Sequence, residues 1–361
     1  MKKLVSLTLA LLIALFVLLP AMAESTPTIR SGVLSMLNLN EEEMLNFRKA
    51  RNLIGRQLEQ EGFVTRKYQQ ILDEAGIDEN LTNANIEIVY FDTLDAALMA
   101  LNAGTIDEVS IYENVARYLA HSDPNLVQVI EFNGEANNSA FARIARRGLM
   151  SNSFAFMFME KNAALRDEFD AALASLTEEE MDKLVQDQIT AAISGNEISP
   201  IQMPVFDGAE TIKVAVTGAL PPMDYVAADG TPAGFNTALL AEISQRMGKN
   251  IELVVVDSIG RAAALASGNV DAVFWTRTNR VSNRFSENSE KALDEMQEVL
   301  KDMSEEELET LKKVDELIDI ADYGHADMPE GTIVTKPYFS DVIVTVTTQS
   351  RLDQVLARTN Q

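Results

Sequence analysis

Residues 275–280 read Trp-Thr-Arg-Thr-Asn-Arg and follow an apolar, strand-like run, so Arg277 and Arg280 share one short segment. A guanidinium presents a planar fork of donors that grips a carboxylate with two parallel bonds. Helix N-termini attract the same anions. The chemistry open to such a segment is recognition of a negatively charged group. Covalent chemistry finds less material. The chain has no cysteine, which excludes thiolate catalysis, disulfides, cysteine-ligated zinc or iron-sulfur centres and a lipid-modified cysteine. The two histidines, His121 and His325, lie far apart without paired ligands beside them and read as surface residues, so neither a metal nor another cofactor is expected. There is no Gly-x-Ser-x-Gly nucleophile segment either.

The elements that must position these residues are written twice. Residues 86–107 read IEIVYFDTLDAALMALNAGTID and residues 251–271 read IELVVVDSIGRAAALASGNVD. Each copy opens on a β-branched run, which reads as a buried strand. Asp92-Thr93 and Asp257-Ser258 then offer a capping oxygen to a helix. Gly104 and Gly268 suit the left-handed turn after that helix, before a second strand. Each copy is a β-α-β unit, and its right-handed crossover makes the strands parallel. A separation of about 165 residues points to two lobes, since solenoid repeats recur every ~20–50 residues.

Met1 to Ala23 has two lysines, an apolar stretch and Ala21-Met22-Ala23, the pattern of a secretory signal peptide cleaved after Ala23. The alternative is an uncleaved anchor. Cleavage would leave 28 basic residues against 55 acidic ones and take the net charge from −25 to −27. Such a surface repels nucleic acid and anionic lipid. Much of the acid marks helix starts: Asn40, Thr177 and Ser304 each stand three residues before a glutamate, the capping-box spacing.

Along the chain, a strand at Ile29–Leu37 precedes a long charged helix from Glu41 to about Ala75. The first β-α-β copy follows, then a helix at Tyr112–His121, a strand at Val127–Phe132, a loop at Asn133–Asn138, a strand at Phe154–Met159, and one or two helices within Ala163–Ala192. Residues 201–210, with Pro200 just before them and Pro204 and Gly208 within, form the linker. The second section has a strand at Ile212–Val216, a Pro-rich loop at Thr217–Gly234, a helix at Phe235–Met247 and the second copy. A charged helical insertion at 286–320 reads as solvated, and a β-rich stretch, Val342–Thr347, closes the chain.

The segment IKVAVTGALPPMDYVAADGTPAGFNTALLAEISQRMGKNIELVVVD, with ALASGNVDAVFW and KPYF further on, resembles lobe one of family 3 of the bacterial extracellular solute-binding proteins. The marks are a strand, a Pro-Pro loop, Gly-Phe opening a helix, a Gly-x-Val-Asp step and Pro-Tyr at the hinge. They are specific together and weak singly. The first section resembles lobe two: IDEVSIYENVARYLAHSDPNLVQV is similar to its segment in which an aspartate at a strand end is followed by a helix and a Pro-Asn-Leu turn, and SFAFMFMEKNAALRDEFDAALASL to the strand and helix that normally end the family's chain. The resemblance therefore implies an α/β, two-lobed periplasmic-binding-protein clamshell of circularly permuted order. Its parts would be a lobe two-like domain at 24–150, a return to lobe one at 151–200, a lobe one-like domain at 211–335, and a hinge and terminal strand at 336–361. The alternative is a tandem of two incomplete copies.

The same resemblance implies capture of a small solute, often an amino acid, by an exported monomer that delivers it to the membrane permease of an ABC transporter. It places the ligand carboxylate on Arg277, with Arg280 the second choice and Arg284 a third if the alignment slips. Thr276 flanks Arg277, and Trp275, Thr217, Met223 and Tyr225 would wall the pocket. Asn236 opens a helix, Ser35 and Asn38 belong to the other lobe, and the aspartate that pairs with an amino group aligns with Tyr112, beside Glu113. The loop aspartate of lobe one aligns near Gly218. With those acids replaced, a carboxylate-bearing or polar solute is expected rather than a basic amino acid, because an unpaired buried charge is costly. An enzyme on the same fold is the competing class, without a motif to support it. A ligand sensor or scaffold docking on a membrane receptor is a third reading.

Overall fold

The computed structural model describes residues 28–37, 39–66, 86–132, 139, 141–142, 151–227, 230–257, 260–278, 300–301, 303–320 and 329–359. Its first section runs β1 (Ile29–Leu34), a 3-10 turn (Ser35–Leu37), α1 (Glu41–Gln60), β2 (Val64–Arg66), β3 (Ile86–Phe91), α2 (Leu94–Asn102), β4 (Glu108–Tyr112), α3 (Glu113–Ser122), β5 (Leu126–Gln128) and β6 (Ile130–Phe132). Then come β7 (Ser151–Met159), α4 (Ala163–Ala174), α5 (Glu178–Leu184), a π-helical turn (Val185–Thr190) and α6 (Ala191–Ile193). The second section holds β8 (Thr211–Val216), β9 (Ala219–Leu220), β10 (Asp224–Val226), β11 (Pro232–Ala233), α7 (Phe235–Met247), β12 (Asn250–Val255), α8 (Gly260–Ala266) and β13 (Ala272–Thr278). It ends with α9 (Glu305–Ile320), β14 (Thr332–Val334), β15 (Phe339–Thr348) and α10 (Gln349–Thr359).

Local chemistry sets many of these boundaries. Asn40 and Thr177 form reciprocal capping boxes with Glu43 and Glu180, and Ser304 exchanges the same two bonds with Glu307. Thr93 caps α2 through the Ala96 amide. Gly104 and Gly268, at φ 70° and 76°, make the left-handed turns that release α2 and α8 toward the next strand.

Ten strands form one sheet whose main order is β12-β8-β13-β7-β15-β4-β1-β3, with β14 added to β7 and β5 to β15. It divides into two like-ordered halves. The N-lobe has parallel β3, β1 and β4, then antiparallel β15 carrying β5. The C-lobe has parallel β12, β8 and β13, then antiparallel β7 carrying β14. Each lobe thus takes its fourth strand from the other half of the sequence. The two exchanged strands pair with each other at Phe339–Val342 and Ser151–Phe154, which joins the lobes. Helix α4 follows β7 across and packs on α7 of the C-lobe.

Several expectations need correction. The opening strands of both copies, β3 and β12, are the outer edges of the sheet and only half-buried. Their β-branched composition reflects strand preference rather than burial on two faces. The first long helix stops at Gln60 before Gly62 at φ 79°, and a short strand follows where helix was expected. The loop at 217–234 contains the three-stranded sheet β11-β10-β9. Helix α9, expected to be solvated, lies along α1 of the N-lobe and buries Val314 in the main core beside Leu311 and Leu317. The linker holds to the C-lobe: the Asn250 side chain accepts the Phe206 amide at 2.8 Å and donates to the Phe206 carbonyl at 3.0 Å. The signal peptide, the loop at 133–138, His325 and all of 279–299 lie outside the described residues.

Candidate functional site

The sheet register brings Tyr112 and Arg277 to the junction of the two lobes. Tyr112, the last residue of β4, lies opposite Ile343, and Arg277, near the end of β13, lies opposite Phe154. Phe154 and Val342 both belong to the four-pair ladder that joins the lobes. The carboxyl ends of β4 and β13 therefore converge on the crossing strands.

The floor is aromatic. Phe154 stacks on Trp275 with ring centroids 3.7 Å apart and 12° between planes. Tyr112 meets both edge-on, at 5.1 Å and 5.8 Å. Phe339 tilts against Trp275 and Phe235. Trp275 is 2% exposed and Tyr112 1%, so both are packing residues of the floor as found. Burial, above all, raises the Tyr112 hydroxyl pKa, while the nearby Arg277 and Arg261 charges oppose it. Arg277 itself is half-buried, and Thr276 beside it is buried against the opposite face, opposite Ala155.

The C-lobe loop is organised by an acid that the sequence reading passed over. One Asp224 oxygen accepts the Thr217 amide at 2.6 Å, the Thr217 hydroxyl at 2.9 Å and the Gly218 amide at 3.1 Å. Burial raises its pKa in spite of these bonds. Thr217 is thus engaged, and Met223 is fully buried. Tyr225 stands half-buried on β10 and interacts with Tyr118 of α3, so the lobes approach each other there. They also touch at His121, which lies against Gly195 after α6. Asn236, in the first turn of α7, is wholly buried, and neither its Nδ2 nor its Oδ1 has a hydrogen-bond partner. A buried amide with both ends unused is expensive and suits a polar guest.

The N-lobe side contributes Ser35, whose hydroxyl donates to Asp92 at 3.1 Å, and Glu113 at the head of α3. Beside Glu113 lies a second acid that no local motif announces. Asp341 on β15 is buried and accepts the Asn114 side-chain amide at 3.1 Å and the Val342 amide at 2.7 Å. Burial first, and the Glu113 charge after it, push its carboxyl up to about 7. Glu113 is the carboxylate expected near the crevice, and Asp341 lies close to it but is engaged by its own hydrogen bonds. Asn38, Arg280 and Arg284 lie outside the described residues.

Residues 212–283 match the family model for bacterial extracellular solute-binding proteins, family 3. Solved structures overlay on more of the chain. The ligand-binding component of an ABC-type import system from Staphylococcus aureus, solved with zinc bound, is 10% identical over 92% of this chain and 70% of that one, TM-score 0.37. The periplasmic aliphatic sulphonate binding protein SsuA from Escherichia coli is 12% identical over 92% and 69%, TM-score 0.33. The binding protein AgaA from A. tumefaciens R10, in complex with agropinic acid, is 11% identical over 73% and 55%, TM-score 0.34. No curated protein matches the chain.

Proposed function

We propose that the protein is an extracytoplasmic solute-binding protein of an ABC import system that closes its two lobes on a small carboxylate-bearing or polar solute. The observation that carries this reading is the pairing of Arg277 with Tyr112. They occupy matching places at the ends of the two third strands, each paired with one of the two crossing strands. A crevice built this way offers one cation on the C-lobe and a carboxylate, Glu113, at a helix start on the N-lobe. A carboxylate seated on Arg277 forms charge-assisted bonds, and the Asn236 amide adds polar contacts as the lobes part to admit the solute. An α-amino acid finds a counterpart for each of its charges. A solute with an extra cation does not, because Asp341 is closed off by its own hydrogen bonds.

The family 3 segment supports export as well as binding, and the reading includes cleavage after Ala23 and a permuted lobe order in which the chain starts in the family's second lobe. The exchange of β7 and α4 into the C-lobe favours that order over two separate tandem copies. Calorimetry tests the binding reading. A charge-assisted contact contributes roughly 1.5–3 kcal/mol, so Arg277→Ala should weaken a bound L-glutamate, L-glutamine or dicarboxylate about ten- to hundredfold without shifting the melting midpoint. Tight binding of lysine or arginine, or an unchanged affinity in Arg277→Ala, would remove Arg277 from the recognition site. N-terminal sequencing of the exported protein tests the cleavage.

A further inference from the structure

Arg277 reaches the crevice because of one extra residue. In an antiparallel ladder, partners share a face and successive residues alternate. Ala272 pairs with Phe158 and Val273 with Met157, but the partner of Ala155 is Thr276 rather than Trp275, and Arg277 then faces Phe154. β13 thus bulges between Val273 and Thr276, and a one-residue insertion reverses the face of everything after it. In a straight strand Arg277 would share the face of Val273, where Met157, Leu265 and Val270 form a separate small core with it. With the bulge it lies on the face of Phe154, Phe156 and Phe158, toward Tyr112.

The bulge is strained, and it is clamped. Trp275 sits at φ 60°, a left-handed conformation that a bulky side chain avoids. Strain of this kind persists where the surroundings over-determine it, and it gathers at functional sites. Arg261, buried in the first turn of α8, donates from Nη1 to the Phe274 carbonyl at 3.0 Å and the Trp275 carbonyl at 3.4 Å. The Trp275 amide donates to the Tyr338 hydroxyl at 3.2 Å. Tyr338 stands at the entry to β15, so the clamp ties the bulge to the crossing strand. The charge of Arg261 also reaches Asp224, which organises the Thr217 loop.

We propose that Arg261 and Tyr338 are positioning residues for solute recognition, holding the bulge that turns Arg277 onto the inter-lobe face. The proposal rests on the reading of Arg277 as the anion-binding group. Trp275 is the chain's only tryptophan, so emission excited at the red edge, where tyrosine does not absorb, reports on the bulge alone. The test compares solute-free wild type with Arg261→Met, Arg261→Lys and Tyr338→Phe, reading emission maximum and acrylamide quenching beside far-UV circular dichroism. Arg261→Met should move emission to longer wavelength and raise the quenching constant at least twofold with the secondary structure kept. Tyr338→Phe should move both in the same direction by less, and Arg261→Lys should recover part of the change. If Arg261→Met does not fold, Tyr338→Phe decides, since it removes one oxygen. Wild-type emission and quenching in every folded variant of the two would overturn the proposal. Arg277→Ala keeps the two ideas apart: normal emission with unaltered affinity for L-glutamate counts against the binding reading and leaves the clamp standing.

Discussion

The N-lobe and the C-lobe share one plan and hold it together differently. In both, the third strand begins at an aspartate that staples it to the first strand. The Asp107 amide donates to the Arg30 carbonyl at 2.8 Å and its carboxylate takes the Arg30 amide at 2.8 Å. Asp271 makes the same pair with Lys213, at 2.8 Å and 2.9 Å. Around Asp107 the N-lobe adds charge: Arg30 Nε at 3.3 Å, Arg351 Nη2 at 2.6 Å, and a buried Arg48–Glu108 pair next door. Burial opposes ionisation of Asp107, but Arg30 and Arg351 outweigh it and hold its carboxyl below the usual range. In the C-lobe, Asp271 is half-exposed and the residue after it is Ala272. Topology alone therefore does not dictate the interior. The N-lobe fixes its third strand with ions, while the C-lobe uses apolar packing and leaves room for a bulge that aims Arg277.

The largest test of that contrast is to remove each staple. Asp107→Ala leaves Arg351 buried without its partner, a situation that costs about 3–5 kcal/mol. Asp271→Ala loses a backbone bond at the surface, about 1 kcal/mol. Urea unfolding of the protein lacking residues 1–23 should separate the two variants clearly. Equal losses would mean that the buried charges around Asp107 do nothing that the half-exposed version does not.

The crossing strands offer the second test, because Asp341 on β15 faces Asn152 on β7. A carboxyl raised from 3.8 to about 7 binds more protons folded than unfolded. Stability should therefore fall as pH rises from about 4 to about 7 and level off above that. The groups facing Asp341 are Glu113, which repels it, and the Asn114 and Val342 donors, which favour its charge. Asp341→Asn should flatten the decline and leave the variant more stable at pH 8 by roughly 2–3 kcal/mol. A wild-type melting midpoint that rises across this interval would show that Asp341 titrates as an ordinary surface acid.

The contrast between lobes also marks what could be read from the sequence. Both β-α-β copies, their caps and glycine turns, and the aspartate that opens each third strand were legible, because each is a local pattern with a local cause. The burial of β3 and β12 was misread, since an edge strand uses the same β-branched residues as a central one. Helix α10 was missed because Thr348 serves both as the last strand residue and as the cap that accepts the Arg351 amide. Asp341 and the bulge at Trp275, which Arg261 clamps, depend on register between strands more than 100 residues apart in the chain, and no spacing within one strand encodes that.

The smallest effect is also the most direct comparison. Gly104 and Gly268 end equivalent helices at nearly the same positive φ, so alanine at either should cost about 1–2 kcal/mol for the left-handed conformation. They differ in what a new Cβ would meet. At Gly268 nothing lies within 4 Å, whereas at Gly104 the Cβ would sit 3.1 Å from Arg351 Nη1 and press on the cation that holds Asp107. Gly104→Ala should therefore exceed Gly268→Ala by a few tenths of a kcal/mol to about 1 kcal/mol, and the excess should vanish when both are made in an Arg351→Met background, as expected for coupled neighbours. An identical cost in the wild-type background would mean that Arg351 yields freely, and a guanidinium free to yield cannot be the rigid clamp that distinguishes the N-lobe from its counterpart.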